Sequence, residues 1–299
     1  MIEKIKRSSP GVVNLSKAFM DLTNDVVCRA VLGRTYGSSE DGERDFNMIL
    51  GKLIEMLGKF DVGDFVPWLG WINRVNGVEA QVENVFKMLD EFLEGVLREY
   101  RRKKLSDDAV VNFVDALLEF QRESKDSDPV DDDQIKALIL DMFAAGTDAT
   151  FTALEWTMAG LIIHEATSKG TLPRELTQDT NLLCYDIPHG ALVLVNCWGI
   201  SRDLSLWENP NEFLPERFFD TSIDYKGLDF EMIPFESGRR GCSGIAFAMS
   251  IYELALSRLV NEFDFGLPNG GRVEDLDMTE APGIIVHKKS PLLLVPTSC

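Results

Sequence analysis

The chain is poor in histidine, in paired cysteine and in positive charge, and each shortage removes a class of function. Only His164, His189 and His287 occur in 299 residues, and no two are spaced as His-x-x-x-His. A histidine metal centre is therefore not expected. The five cysteines (Cys28, Cys184, Cys197, Cys242 and Cys299) include no Cys-x-x-Cys pair. That excludes a disulfide framework and fits a reducing compartment. Lys and Arg number 30 against 49 Asp and Glu, a net charge of −19. A nucleic-acid partner, which needs a basic face, is excluded, and so is broad adsorption to an anionic membrane. No stretch reaches 18 apolar residues, and Met1-Ile2-Glu3-Lys4-Ile5-Lys6-Arg7 lacks the apolar core of a signal peptide. No membrane anchor is expected, and repeats and low-complexity segments are also missing. What remains is ordinary: 45% apolar and 26% charged residues in a chain long enough to bury a core.

The first half reads as helices. Amphipathic spacing predicts one over 15–32, stopped by Gly33, and others over 45–60, 78–104 and 111–120. The basic run at the end of the third helix suits a helix C-terminus. Asp131-Asp132-Asp133 should cap a helix running to about Ile163, which at 1.5 Å per residue spans roughly 45–50 Å. Apolar nearly all round, it should be buried. Beyond Ala166 the pattern turns to strands: 181–185 and 191–196 around a turn at 186–190, then 283–287 and 292–296 near the end. The expected class is mainly α with small β-sheets (α+β).

One decapeptide carries chemistry: Phe235-Glu236-Ser237-Gly238-Arg239-Arg240-Gly241-Cys242-Ser243-Gly244. Helical spacing from Ile245 puts Cys242 just before a helix N-terminus, where unpaired N–H groups and the dipole favour an anion. Gly238, Gly241 and Gly244 allow the loop to fold back on itself. Arg240 offers a fixed fork of donors to a carboxylate. Thiolate, tight turn, aromatic wall and arginine together suit a haem-thiolate site. The string resembles the cysteine loop of the cytochrome P-450 family. The resemblance implies that Cys242 ligates haem b iron, that Arg240 meets a propionate, and that Phe235, Gly238 and Gly244 shape the cradle. Glu236 departs from the pattern, which has glycine there.

Two further strings agree. Ala145-Gly146-Thr147-Asp148-Ala149-Thr150 interrupts the apolar helix with glycine and polar groups, suggesting a local opening. It resembles the family's oxygen-binding motif, which implies room for dioxygen at Gly146 and a proton-relay acid at Asp148. The relay threonine is replaced by Ala149, and Thr150, about 100° further round, cannot stand in for it. Phe213-Leu214-Pro215-Glu216-Arg217-Phe218 resembles the meander motif, whose arginine pairs with a Glu-x-x-Arg of an earlier helix. No such pair lies between the long helix and the meander, so Arg217 is expected to lack its partners.

The wording, especially 141–148 and 229–235, is closest to the plant microsomal A-type group. Set against that family, residues 1–299 read as a single partial P-450 domain. On that resemblance the N-terminal anchor and first helices are expected to be absent, with a deletion expected near 165–171. The resemblance implies a monooxygenase oxidising a small apolar metabolite, held by Phe143, Ala144 and Phe151, with dioxygen and electrons from a flavin-containing reductase. The family's place is the endoplasmic reticulum membrane; a chain without the anchor is expected in the cytoplasm. Two alternatives stand beside this. One is an inactive remnant without stable haem. The other is a peroxide-rearranging or dehydrating haem enzyme that needs no proton relay.

Overall fold

The computed structural model describes residues 1–34, 40–57, 67–69, 71, 75–102, 112–124, 130–163, 172–281 and 285–299. The chain forms two compact units: residues 1–155, 262–268 and 279–299, and residues 156–261 and 269–278.

The first unit begins with α1 (Ile2–Ser8), β1 (Val13–Asn14) and α2 (Leu15–Leu32). Asn14 caps α2 by accepting from the Lys17 N–H at 2.9 Å. Gly33 ends it in the left-handed region at φ 63°, as its sequence position predicts. Next come α3 (Glu40–Leu57), α4 (Val78–Arg102), α5 (Phe113–Glu123) and α6 (Asp132–Ile163), whose last turns belong to the second unit. On α4 the buried Val85, Leu89, Leu93, Val96, Leu97 and Tyr100 recur every three or four residues, so they form one apolar stripe. Ile49 of α3 packs on Val85 and Leu89. The Tyr100 hydroxyl donates to the Leu32 carbonyl, satisfying an end of α2 that its own helix leaves open.

α6 starts with a reciprocal cap. Asp131 Oδ1 accepts from the Gln134 N–H at 2.8 Å, and Gln134 Oε1 accepts from the Asp131 N–H at 3.0 Å. It then runs unbroken through 145–150, so the expected local opening is not there. Of its buried threonines, Thr152 meets His287 of a later strand at 2.8 Å, whereas the Thr147 hydroxyl has no hydrogen-bond partner. By length and composition α6 could cross a membrane. Its buried Ile135, Ile139, Phe143 and Leu154, and the Lys136 ammonium between Asp90 (2.8 Å) and Glu94 (3.1 Å) of α4, are the contacts of a core helix.

The second unit opens with β2 (Leu172–Glu175), β3 (Thr180–Leu182), β4 (Tyr185–Ile187) and β5 (Leu192–Val195). Here the predicted register is wrong. Leu183 takes φ 55° and turns the chain, so β3 pairs with β4, and β5 pairs with β2 rather than with 181–185. The Asn181 amide donating to Asp186 at 2.8 Å holds the tight turn. A short α7 (Cys197–Ile200), the irregular 201–244 and α8 (Ile245–Glu262) follow.

The chain then returns to the first unit. β6 (Phe263–Gly266) and β1 flank β9 (Leu293–Ser298) in an antiparallel sheet ordered β1-β9-β6, while β7 (Glu280–Ala281) pairs with β8 (His287–Lys288). The proposed deletion near 165–171, Lys103, Lys104 and Gly283 lie outside the described residues.

Candidate functional site

The cysteine loop belongs to the second unit and is built from backbone. Glu236 and Gly238 both take left-handed φ, 64° and 71°, folding 235–238 back so that the Cys242 N–H reaches the Phe235 carbonyl at 2.9 Å. A single 3₁₀ turn over Gly238–Arg240 closes with the Gly241 N–H on the Gly238 carbonyl at 3.0 Å. Helical bonding then starts at once, with the Ala248 N–H on the Gly244 carbonyl.

The Cys242 thiol is exposed three residues ahead of α8. A Cβ at Gly244 would stand 3.7 Å from its sulfur, and one at Gly238 would meet nothing within 4 Å. Arg239 and Arg240 are exposed beside it. Phe235 sits edge-on to Tyr225 at 5.9 Å, which fixes its ring as a wall. Beneath the loop, Gly227 at φ 85° comes so near that a Cβ would lie 2.7 Å from the Glu236 carbonyl. Its own carbonyl accepts from the Ser237 hydroxyl at 2.5 Å. The Glu236 carboxylate pairs with the Arg174 guanidinium of β2. Sequence reading singled out Glu236 but not this partner, which lies sixty-two positions away.

These residues fit a haem. A free thiol faces open space over a floor of glycine, two guanidinium groups stand ready for carboxylates, and an aromatic ring forms one side. Among the described residues no group of three or more His, Cys, Asp or Glu could hold a metal ion, so the thiol is the metal-ligating feature that stands out.

Arg217 corrects an expectation. Its guanidinium is not orphaned: it donates to the carbonyls of Glu208 (2.9 Å), Asn209 (3.0 Å), Glu212 (2.8 Å) and Leu214 (3.3 Å). It closes its own meander loop, beside an edge-on Trp207–Phe218 pair at 5.9 Å.

Gly146 and Asp148 belong to the first unit. Gly146 has a packing reason: a Cβ there would stand 3.1 Å from Val27 of α2. Asp148 is buried at 6% exposure, and Ala149 is exposed. Asp148 Oδ1 lies 3.4 Å from His287 Nε2, while its Oδ2 has no hydrogen-bond partner. Contact with Asp148 pushes the His287 imidazole above its usual range, against the opposing effect of burial. Nothing in the sequence pointed to His287, because its partner is 139 positions away. Phe143 is fully buried in the core, and Phe151 stacks on His287 at 5.6 Å.

A mainly helical fold presenting a bare cysteine between glycines and arginines defines a haem-thiolate protein. The sequence comparisons place it further: the family profile for Cytochrome P450 matches residues 1–169 and 163–295, and the chain belongs to that family, whose cofactor is haem. It is 60% identical to a (+)-menthofuran synthase of Mentha piperita, over 99% of this chain and 68% of that protein. It is 45% identical to Cytochrome P450 71A6 of Nepeta racemosa (99% and 70%) and 43% identical to a 3-beta-hydroxylase of Tanacetum parthenium (100% and 68%). The chain thus spans about two-thirds of the length of these relatives. Among solved structures a zebrafish cytochrome P450, described with abiraterone, matches with TM-score 0.78 at 20% identity, covering 99% of this chain and 74% of that one. That likeness is one of fold.

Proposed function

We propose that the chain is a haem-dependent monooxygenase of plant secondary metabolism that oxidises a small apolar metabolite. A flavin-containing reductase supplies electrons, and the family's setting at the endoplasmic reticulum membrane is the proposed location. The observation that carries this is the exposed Cys242 on its glycine loop, in a chain 60% identical to a (+)-menthofuran synthase. That relative's name supports a small apolar substrate.

In this reading Cys242 holds the iron, Arg240 a propionate, and Phe235, Gly238 and Gly244 shape the cradle. Haem so ligated supplies dioxygen activation. Asp148 holds a proton for delivery, and Gly146 keeps its face of α6 low. The carbon-monoxide difference spectrum of the reduced protein tests it. A thiolate-type band is expected in the unmodified chain and in Cys184→Ala and Cys197→Ala, and lost in Cys242→Ala. An unchanged band in Cys242→Ala would sink the assignment.

A second reading, an inactive remnant of a single P-450 domain with a deletion near 165–171, has its own support. The curated alignment to the synthase runs over 340 residues while taking in 99% of a 299-residue chain, and the family profile matches in two segments that meet at 163–169. Absence of any haem band in every variant would favour it.

A further inference from the structure

α6 carries a buried polar seam. Asp148, Thr152 and Glu155 stand at i, i+4 and i+7, so they share one face of the helix, and all three are at least nine-tenths buried. An apolar helix buries such a row only where partners meet it. The partners come from the C-terminal strand β8 and the residues near it. His287 Nδ1 lies 2.8 Å from the Thr152 hydroxyl and Nε2 3.4 Å from Asp148 Oδ1, with the ring stacked 20° off parallel on Phe151. The Lys288 N–H donates to the Glu155 carboxylate. Ser16 donates to Glu155 as well and accepts from the Leu292 N–H at 2.7 Å.

Burial differs along this row. The Asp148 side chain is 8% exposed and that of His287 23%, so the imidazole stands between solvent and a buried carboxylate. The carboxylate's second oxygen, and the neighbouring Thr147 hydroxyl, have no hydrogen-bond partner. Ala149, in the family's relay position, supplies no hydroxyl.

We propose that His287 is a positioning residue for Asp148 and the inlet through which that carboxylate is reprotonated. This rests on the reading of Asp148 as the proton-delivering acid. The imidazolium passes its Nε2 proton to Asp148 Oδ1, giving a neutral carboxylic acid and a neutral imidazole that keeps its Nδ1 proton. Solvent water then returns one proton to Nε2, since the imidazole side chain is part-exposed where the carboxylate is buried. One proton enters per cycle, and no redox partner is needed. Thr152 suits both states, because its hydroxyl accepts from Nδ1–H, which is present in the imidazolium and in the neutral imidazole alike.

The charged groups that act on the imidazole are Asp148 and Glu155 from α6; Lys288, next along β8, acts on Glu155, and Glu280 of β7 is opposite Lys288 in the ladder. Asp148 acts first and raises the proton affinity of His287; burial opposes it, and Glu155 adds to the rise.

The chain's three histidines make the test direct, since three imidazole signals are to be followed by NMR on the full chain. His287 is assigned by its loss in His287→Gln. It is expected to titrate above the ordinary imidazole range and to move down in Asp148→Asn. Thr152→Val should move it less, and that variant still tests the contact if His287→Gln fails to fold. An unmoved His287 midpoint in Asp148→Asn overturns the proposal.

With haem loaded, product per electron should fall in the wild type as pH rises through the His287 midpoint. His287→Gln should be low at every pH and lose that dependence. If His287→Gln keeps the wild-type profile while Asp148→Asn abolishes coupling, the inlet is refuted and the acid stands. If neither variant changes coupling, the reading of Asp148 fails and the proposal falls with it.

Discussion

Glu236 occupies a backbone conformation that glycine adopts freely and an L-residue adopts at a cost of roughly 1–2 kcal/mol. Its half-buried pairing with Arg174 returns part of that, about 0.2–1 kcal/mol for a pair this exposed. Two opposite outcomes follow for thermal unfolding monitored by circular dichroism. Glu236→Gly trades the pair for relief of strain and should leave stability unchanged within about 1 kcal/mol. Glu236→Val loses the pair, keeps the strain and adds a β-branch, and should cost at least about 1 kcal/mol. The departure from glycine was legible in the sequence, as was the Cys242 loop, because spacing within ten residues is local information. Arg174 and His287 were not legible, since only folding brings them to partners far along the chain; the carbonyls around Arg217 lie within nine residues but carry no side-chain signature. The replacement at Ala149 also acts at this scale. Ala149→Thr restores a hydroxyl that could hold a proton donor, and general acid steps typically contribute about 10²–10⁴-fold. With haem loaded, that variant should raise product and lower released peroxide per electron. An unmoved ratio would mean that protons reach the site by another route.

Elements were legible where caps and periodicity agreed. α2 was read to its last residue because Gly33 marks the end, and the start of α6 because the aspartates at 131–133 offer a cap, which Asp131 supplies. The hairpin predicted between 181–185 and 191–196 was misread because Leu183, an apolar residue with no turn signature, makes the turn between β3 and β4. One residue couples two helices. Asn112 caps α5 by accepting from the Asp115 N–H at 3.1 Å, and its amide lies 3.1 Å from where a Cβ on Gly33 would be. Asn112→Ala should cost about 1 kcal/mol of stability as a lost cap. Gly33→Ala should cost more than the roughly 1–2 kcal/mol of the left-handed φ alone, because the new Cβ also meets that amide. The start of α6 also has a pH signature. The Arg101 guanidinium and then the Gln121 amide hold the Asp132 carboxyl down to about 2, from 3.8. A depressed acid contributes stability above its unfolded value and loses it as pH falls through the folded one. Acid unfolding between about pH 4 and 2 should therefore be shallower in Asp132→Asn than in the wild type. His287 works the other way. Its raised value gives stability present below 6.5 and lost as pH rises through the folded midpoint, and His287→Gln should remove that alkaline loss.

At the scale of the whole molecule, large apolar side chains meet solvent: Leu183, Leu204, Phe219 and Leu228, all in the second unit, are each more than three-quarters exposed. Apolar surface of that extent favours association. The net charge of −19 opposes it, because copies of the chain repel one another. The two tendencies respond differently to salt. Raising ionic strength from about 0.01 M to about 1 M shrinks the screening length from about 30 Å to about 3 Å, which removes the repulsion and leaves apolar attraction intact. Size-exclusion chromatography with light scattering should therefore show oligomers or aggregates that grow with salt. Haem loading should reduce them only to the extent that the cysteine loop's apolar surroundings become covered. A monomer that unfolds cooperatively and stays monomeric at high salt would show that the exposed leucines and phenylalanines find cover within the chain. Association that weakens with salt would instead assign the contact to charge.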